Sequence, residues 1–557
     1  VDDATRHVLL VGYEDRDNLG LRYLLACLEQ HGWSAEIWKY DRDVDALVAR
    51  ARARRPLLVG FSLIFQYMAP DFGAAIAALR RAGVDAHVTV GGHYPSFEPA
   101  EVLAGIEGLD SVVRFEGEQT LLELVEALRA GADWRAVPGL SFRDGDGVGA
   151  APPRPAIEDL DALPWPSRAS FDYESERLPT AAVLGSRGCP WDCTFCSIRP
   201  FYEAQGPLRR YRQPRAIVAE MRDLFERRGV RLFLFQDDDF LGGGRRARRW
   251  AGEIADAILE AGLGGRVAWK ISCRSDEIDE ETFAHLARGG LTHVYMGVEA
   301  GDPDDLADMR KRMTPEAHLE AGRILRRLGL SFDFGFMLLQ PYSTLARVRN
   351  NVRFLRELAG DGYAIAGFCR MLPYAGTPIR DRLAAEGRLG GTPFQPDYRF
   401  LDPKLDLFYD WMVETFHERN FTSRGLNQAF RAALFEARLR LPGAALPEPA
   451  RRLLQHLAAV CNQVAFYTLE AALDHVEAMP LEALRTDRRV LAELAAHEAR
   501  EEERLAAELS ELFQWATSDA AGRREPVGAF ERTWTHAGRG AAGGALSART
   551  AAPASPA

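Results

Sequence analysis

Three of the chain's seven cysteines stand in one short loop, Gly188-Cys189-Pro190-Trp191-Asp192-Cys193-Thr194-Phe195-Cys196. The spacing is C-x-x-x-C-x-x-C, with Phe195 just before the third thiol. In a chain otherwise poor in thiols, such crowding marks metal ligands rather than disulfide partners. A zinc site would need a fourth Cys or His. No His lies within ten residues of the loop, and no second cysteine pair follows at zinc-ribbon spacing. Three thiolates can hold three corners of a 4Fe–4S cube, leaving the fourth iron open to another ligand.

The elements that must position this loop follow from periodicity. Short apolar runs alternate with helical patterns over the first part of the chain: strands at His7–Val11, Ala35–Trp38, Leu57–Ser62, His87–Val90 and Val112–Phe115, with helices at Leu19–His31 and Phe72–Ala82. That alternation predicts a doubly wound parallel sheet, whose ligands sit at the carboxyl ends of the strands. The loops at those ends are Asp15-Arg16-Asp17-Asn18-Leu19-Gly20, Ser62-Leu63-Ile64, Gly91-Gly92-His93 and Glu116-Gly117-Glu118. Paired glycines let backbone approach a bulky ligand closely. The first strand is not followed by G-x-G-x-x-G, which argues against a dinucleotide.

From Asp144 to Pro166 prolines recur at 152, 153, 155, 164 and 166, and proline blocks both helix and central strand. A connector is expected there. A second series of strands follows, at Ala181–Leu184, Leu232–Gln236, Val267–Ser272, His293–Val298, Phe332–Leu338 and Ala364–Met371, with helices between them such as Pro214–Arg227 and Pro315–Leu328. Six β/α units predict a partial TIM-type barrel, with its working groups at the carboxyl ends. Those ends carry the cysteine loop, Asp237-Asp238-Asp239-Phe240, Cys273-Arg274, Glu299 between two glycines, Gln340 and Cys369. An acidic triplet after a strand can equally be a helix-capping turn or a divalent-metal site, and Cys273 and Cys369 read first as small buried hydrophobes.

Taken together, the cysteine loop resembles that of the radical S-adenosylmethionine (SAM) enzymes. The strand-end loops of the first region resemble the cobalamin-binding domain that precedes many of them. The resemblance covers roughly residues 5–390 and extends to Asp238-Asp239-Phe240, Gly297-Val298-Glu299-Ala300-Gly301 and Pro373-Tyr374-Ala375-Gly376-Thr377-Pro378. It implies a 4Fe–4S cluster on Cys189, Cys193 and Cys196, with SAM on the fourth iron near Phe195. Asp237, Asp238, Asp239, Arg274, Glu299 and Gln340 would surround SAM, with Arg274 pairing its carboxylate. The usual cobalamin motif D-x-H-x-x-G reads Asp15, Asp17 and Gly20 here, with Asp17 in place of the cobalt-ligating His. Ser62, Gly91, Gly92, Glu116 and Gly117 complete the implied cobalamin site. The alternative for this region is a flavodoxin-like domain with nothing bound.

After Pro396 the pattern is helical: Leu405, Phe408, Tyr409, Met412 and Phe416 share one face, as do Leu505, Leu509, Leu512 and Phe513. The fold class is therefore α/β. Residues 1–145 are expected as a cobalamin-binding Rossmann-like domain, 146–180 as a Pro-rich linker and 181–390 as the radical SAM partial barrel. Residues 391–537 are expected as a mainly helical domain, with a disordered tail at 538–557. A net charge of −11 speaks against nucleic acid, and no stretch reaches the ~18–20 apolar residues of a membrane span. With no basic and apolar leader at the start, the chain is expected in the reducing cytoplasm, as a monomer served by an electron donor such as a flavodoxin or ferredoxin. The resemblance implies methylation of an unactivated carbon of a small molecule through a 5′-deoxyadenosyl radical and methylcobalamin. Ring contraction or oxidative cyclisation with the same cofactors, or a non-catalytic cobalamin sensor, are the rivals.

Overall fold

The structure, a computed structural model, describes residues 7–14, 17–145, 147–169, 178–439, 441 and 446–519. The expected tail at 538–557 lies outside the described residues. The chain forms two compact units: Val1–Phe171 with Leu184–Ala216 and Leu372–Asp397, and Asp172–Val183 with Ile217–Met371 and Tyr398–Ala557. The cysteine loop thus belongs to the first unit, although it directly follows a strand of the second in the chain.

The first unit is built on a seven-stranded sheet of β1 (His7–Gly12), β2 (Ser34–Lys39), β3 (Leu58–Ser62), β4 (His87–Gly91), β5 (Ser111–Val113), β6 (Leu140–Asp144) and β7 (Gly147–Ala150). Its order is β2-β1-β3-β4-β5-β6-β7, with β1 to β5 parallel and β6 and β7 antiparallel. β1 is apolar from Val8 to Val11 because both faces are covered. Leu9 and Val11 enter one core with Val59, Phe61, Phe72 and Val90, while Val8 and Leu10 enter another with Leu25, Leu58 and Leu124. The strand order reverses between β1 and β3, where doubly wound sheets bind ligands. β7 lies inside the stretch expected as linker. Gly145, in the left-handed region at φ +56°, turns the chain back so that Val148 pairs with Arg143.

Next in the chain come β8 (Thr180–Val183), β9 (Ser186–Arg187), β10 (Arg210–Tyr211), β11 (Leu232–Phe235), β12 (Ala268–Arg274), β13 (Leu291–Glu299), β14 (Ser331–Leu339) and β15 (Cys369–Arg370). β9 and β10 form an antiparallel pair in the first unit. The others form the second unit's six-stranded parallel sheet, in the order β15-β14-β13-β12-β11-β8, a curled partial barrel. Ile271, Cys273, Val294, Met296, Phe332 and Phe334 are buried on one face, beneath helices Glu280–Arg288, Pro315–Arg327 and Leu345–Ala359. By strand alternation Lys270, Ser272, Tyr295, Asp333 and Gly335 share the other face. Helix Leu426–Glu436 packs on that side, placing Phe435 against His293 with ring centres 5.1 Å apart.

The sixth strand is shorter than its apolar run predicts. Over 364–368 the backbone bonds to asparagine side chains instead of a ladder. Asn462 Oδ1 accepts from the Ala366 N–H (2.9 Å), and Asn462 Nδ2 donates to the carbonyls of Ala359 (2.6 Å) and Ala364 (2.9 Å). Asn427 and Asn420 donate to the carbonyls of Ala366 and Phe368. Asn462→Ala strips three buried backbone groups of their partner, so a loss of about 3 kcal/mol is expected. It should appear as a lower urea midpoint at unchanged slope.

The rest of the second unit is helical as expected: Pro403–Phe421, Leu426–Glu436, Glu448–Ala478 and Arg489–Asp519 are its main members. Both expected apolar stripes are buried. The fully buried Arg419 is held by Glu498, by Asn427 Oδ1 (3.1 Å) and by the Cys461 carbonyl (2.7 Å). Among the described residues no helix is long and apolar enough to cross a membrane.

Candidate active site

In the first unit the cysteine loop is framed by β9 and β10, whose register sets Arg187 opposite Arg210. Both guanidinium groups converge on Glu116, which is buried. Glu116 Oε1 accepts from Arg187 (2.9 Å) and Arg210 (2.8 Å), and Oε2 accepts from Arg210 (2.9 Å) and from the Ile157 N–H (2.8 Å). Arg187 also reaches Glu118 (2.5 Å). Burial alone would raise the Glu116 pKa, but the hydrogen bonds and charges of Arg210 and Arg187 outweigh it and hold it down at about 2. The oxygens of Glu116, expected at a cofactor, fasten the cysteine loop's strand pair to the first sheet. Gly117, beside it, is the N-cap of helix Glu118–Ala130.

Gly188 opens the loop at φ +95°, and a Cβ there would stand 2.0 Å from the Leu208 carbonyl oxygen. The left-handed backbone alone costs alanine about 1–2 kcal/mol, and the clash adds to it. Gly188→Ala is expected to lower both the thermal midpoint and the iron bound per chain, the latter measured after anaerobic reconstitution. Cys189, Cys193 and Cys196 are half-buried and in no disulfide, and Phe195 between them is half-buried as well. The Cys196 N–H donates to the Cys193 carbonyl (3.2 Å), and Ile379 N–H to that of Thr194 (2.9 Å). Among the described residues no three His, Cys, Asp or Glu side chains are placed to hold a single metal ion. A cube ligated through three different irons does not ask its thiolates to meet at one point, and the donor set fits it.

The strand-end loops of β3 and β4 come together with the cysteine loop's helix. Ile64, Phe65, Gln66, His93, Tyr94, Ser197, Ile198, Tyr374 and Ala375 line a cavity of about 140 Å³. Gln66 braces it, accepting from the Ala375 N–H (2.8 Å) and donating to the Pro393 carbonyl (2.8 Å). Gly92, at φ +124°, lets the loop pass where a Cβ would meet the Leu63 carbonyl oxygen at 2.4 Å. Ser62 and Gly91, paired in the sheet, close the ends of β3 and β4. His93 packs on Phe201 with ring centres 4.4 Å apart. Its Nε2 is buried without a partner, and desolvation lowers its pKa to about 4, so the ring is neutral at pH 7. The orphaned His93 nitrogen beside this cavity fits a bound group at these strand ends.

Of the motif standing in for D-x-H-x-x-G, Asp15 lies outside the described residues. Asp17 is buried and spends its carboxylate on Arg168 (2.6 Å) and Arg22 (3.3 Å). Arg22 is also paired with Glu14 (2.7 Å). Gly20 lies exposed in the first turn of helix Leu19–Gln30, capped by Asn18. Asp17 therefore anchors its loop through arginines.

In the second unit Asp237 and Asp239 are buried at the end of β11, while Asp238 is exposed. Phe240 packs among Phe235, Trp250 and Trp269. Asp239 is hydrogen-bonded to Glu277, an acid the sequence pattern does not single out. Burial first, then the charge of Asp239, raises the Glu277 pKa to about 8. At pH 7 Glu277 keeps its proton and donates it to Asp239, the arrangement two adjacent buried carboxyls require.

Arg274, expected at the SAM carboxylate, is engaged within its own unit. Its fork is taken by Asp276 (3.0 and 3.0 Å) and by the Lys311 carbonyl (2.5 Å). Gln340 is engaged likewise: its amide donates to Asp305 (2.9 Å) and Asp308 (3.2 Å), and its N–H donates to Ser343 Oγ (2.9 Å). It knits the turn after β14. Glu299 keeps the posture of a site residue. It is half-buried at a bulge in β13, in the left-handed region at φ +69°, and 3.6 Å from Lys311 Nζ. Burial raises its pKa, with Lys311 opposing. Cys369 is half-buried nearby, its Sγ 3.5 Å from the Phe336 carbonyl, and burial pushes the thiol up to about 12.

Comparison with known proteins assigns families to both regions. The B12 binding domain family matches residues 6–125, and the radical SAM superfamily matches residues 183–355. An uncharacterized methyltransferase of Pyrococcus horikoshii is 28% identical over 388 residues, 69% of this chain and 79% of that protein. The anaerobic magnesium-protoporphyrin IX monomethyl ester cyclase of Cereibacter sphaeroides is 28% identical over 303 residues, 53% of this chain and 48% of the cyclase. The chain thus spans about half the cyclase's length. Among solved structures, the cobalamin-dependent SAM radical enzyme OxsB, with aqua-cobalamin and SAM bound, superposes with a TM-score of 0.68. At 14% identity, over 95% of this chain and 83% of that one, this likeness concerns the fold. With a B12-binding domain ahead of a radical SAM core and three cysteines at the head of that core, the chain belongs to the cobalamin-dependent radical SAM enzymes.

Proposed function

We propose that this enzyme methylates an unactivated carbon of a small molecule. The observation that carries the reading is that the cysteine loop and the cobalamin-type loops of β3 and β4 share one compact unit, locked by Glu116, and that the start of the helix after the cysteine loop lines one cavity with those loops. When bound, the cluster, SAM and cobalamin supply reductive SAM cleavage and a transferable methyl group. The chain's own part is placement. Cys189, Cys193 and Cys196 would hold the cluster, and the loops after β3 and β4, with Gly91 and Gly92, would carry the corrin. Asp237, Asp239 and Glu299 supply acidic groups suited to a sulfonium, an ammonium or a ribose diol. Neutral His93 and the aromatic residues around it keep water from the cavity. The methyltransferase name of the Pyrococcus relative supports methyl transfer. Seven cysteines outside any disulfide suit a reducing cytoplasm, where the enzyme would work as a monomer with a flavodoxin or ferredoxin as electron donor.

The test is protein reconstituted anaerobically with iron, sulfide and cobalamin, then given SAM and a reductant. Methyl transfer requires both 5′-deoxyadenosine and S-adenosylhomocysteine to form. The likeness to a cyclase at the same 28% identity favours one second reading, oxidative cyclisation, which gives the first product without the second. Formation of neither would leave a cobalamin-binding sensor.

A further inference from the structure

The inner face of the second unit's sheet carries positive charge that its own residues do not balance. Lys270, mid-strand in β12, is half-buried, with its ammonium 5.7 Å from the centre of the Tyr295 ring. Among the described residues it makes no hydrogen bond and has no carboxylate within ion-pairing distance. Asp333 is the acid whose charge it feels, but Asp333 already stands 3.9 Å from Arg431 Nε and 3.7 Å from His293 Nε2. His293 is fully buried and bonded through Nδ1 to Ser331 Oγ (2.9 Å). Burial and the surrounding cations hold its pKa far down, so it adds no charge. Glu299, whose charge also reaches Tyr295, is matched by Lys311 at 3.6 Å, so Lys270 and Arg431 are left to share Asp333. A desolvated ammonium without a partner is costly, and burial lowers the Lys270 pKa accordingly.

The same surface is open. Tyr295 lies mid-strand yet keeps 38% of its area accessible. Its hydroxyl fills the place of a side chain at Gly335, 2.7 Å from where a Cβ would be, and Arg431 does the same at Gly367 (2.5 Å). An open surface with a surplus cation pair beside an aromatic ring is what an anionic ligand requires.

We propose that Lys270 and Arg431 bind an oxyanion of the substrate, a carboxylate or a phosphate, with the Tyr295 ring beside it. This deepens, and rests on, the reading of the chain as a small-molecule enzyme. Lys270 lies four residues before Arg274, the last residue of β12, or ~13 Å at about 3.3 Å per residue. Reacting groups of such barrels gather at the carboxyl ends. The substrate is therefore long enough to hold its charged end at Lys270 while its reacting carbon stands at the rim.

The chain has four lysines, Lys39, Lys270, Lys311 and Lys404, so amidination by methyl acetimidate, read by mass spectrometry, resolves each one. The protein carries its cluster and cobalamin but no SAM, and the probes are inorganic phosphate and acetate. Lys270 is expected to be protected saturably by at least one probe, which names the oxyanion, while Lys39 and Lys404 react as before. Arg431→Gln should raise the half-protecting concentration about tenfold, the weight of one charge-assisted hydrogen bond, and Arg431→Lys should restore most of it. Protection by neither probe, or equal protection of Lys39, Lys270 and Lys404, overturns the proposal. The assay needs no turnover. Protein that protects Lys270 but never cleaves SAM keeps the site and loses the enzymatic reading; the reverse loses only the site.

Discussion

A Cys193→Ala chain is expected to form no measurable 5′-deoxyadenosine, at least about 10³-fold less than the unaltered protein, while still taking up cobalamin. A cluster held at three corners has no spare protein ligand, so loss of one thiolate removes the cluster rather than weakening it. Cys189→Ala and Cys196→Ala should behave alike. Cys27→Ala tests whether any lost thiol suffices. That residue is buried on helix Leu19–Gln30, its thiol pushed up to about 12 by burial, and it should cost modest stability and no cluster. Iron content, the cluster and corrin absorption bands, and chromatographic detection of 5′-deoxyadenosine together decide the matter. Cleavage persisting in Cys193→Ala would remove the cluster assignment.

Glu116→Gln is expected to cost the first unit about 3–5 kcal/mol, the usual price of leaving buried cations without their acid. Arg187 would retain Glu118, but Arg210 would keep only the neutral amide and the Ile157 carbonyl. The same carboxylate gives the protein a characteristic acid limit. Its folded pKa, about 2, lies below the ordinary 4.5, so its contribution is complete above about pH 4.5. It is lost as the pH falls toward 2. A displacement of that size corresponds to about 3 kcal/mol. Urea midpoints measured between pH 6 and pH 3 should fall more steeply for the unaltered chain than for Glu116→Gln. Parallel pH profiles would show that Glu116 is not the titrating anchor.

The core of the first sheet was legible because parallel strands covered on two faces must be apolar along their buried run, and Val8–Val11 and Leu58–Phe61 are. The cysteine loop was legible because ligand spacing is a local property. What escaped depended on partners distant in the chain. Glu116 looks like a cofactor contact until Arg187 and Arg210 arrive from the far side of the proline-rich stretch. Gln340 and Arg274 stand at strand ends, and Asp305, Asp308 and Asp276 engage them there. The run 364–371 has the composition of a strand, and only Asn462, nearly a hundred residues later, offers its backbone an alternative to the ladder. Glu277 and Lys311 carry no motif, and proximity to Asp239 and Glu299 alone gives them a role.

The fastening of β9 and β10 to Glu116 also bears on how such enzymes can be recombined. A crossover in the proline-rich stretch would look safe from chain order. It would hand Arg187 and Arg210 to a foreign partner and leave Glu116 and Glu118 behind. Each parent would lose a buried charge cluster that only its own halves complete. Exchange of cobalamin modules among relatives should therefore succeed only when residues 184–216 travel with them, or when both parents carry the acid and the two arginines at matching places. The seam lies inside the cysteine loop's own frame, beyond the linker.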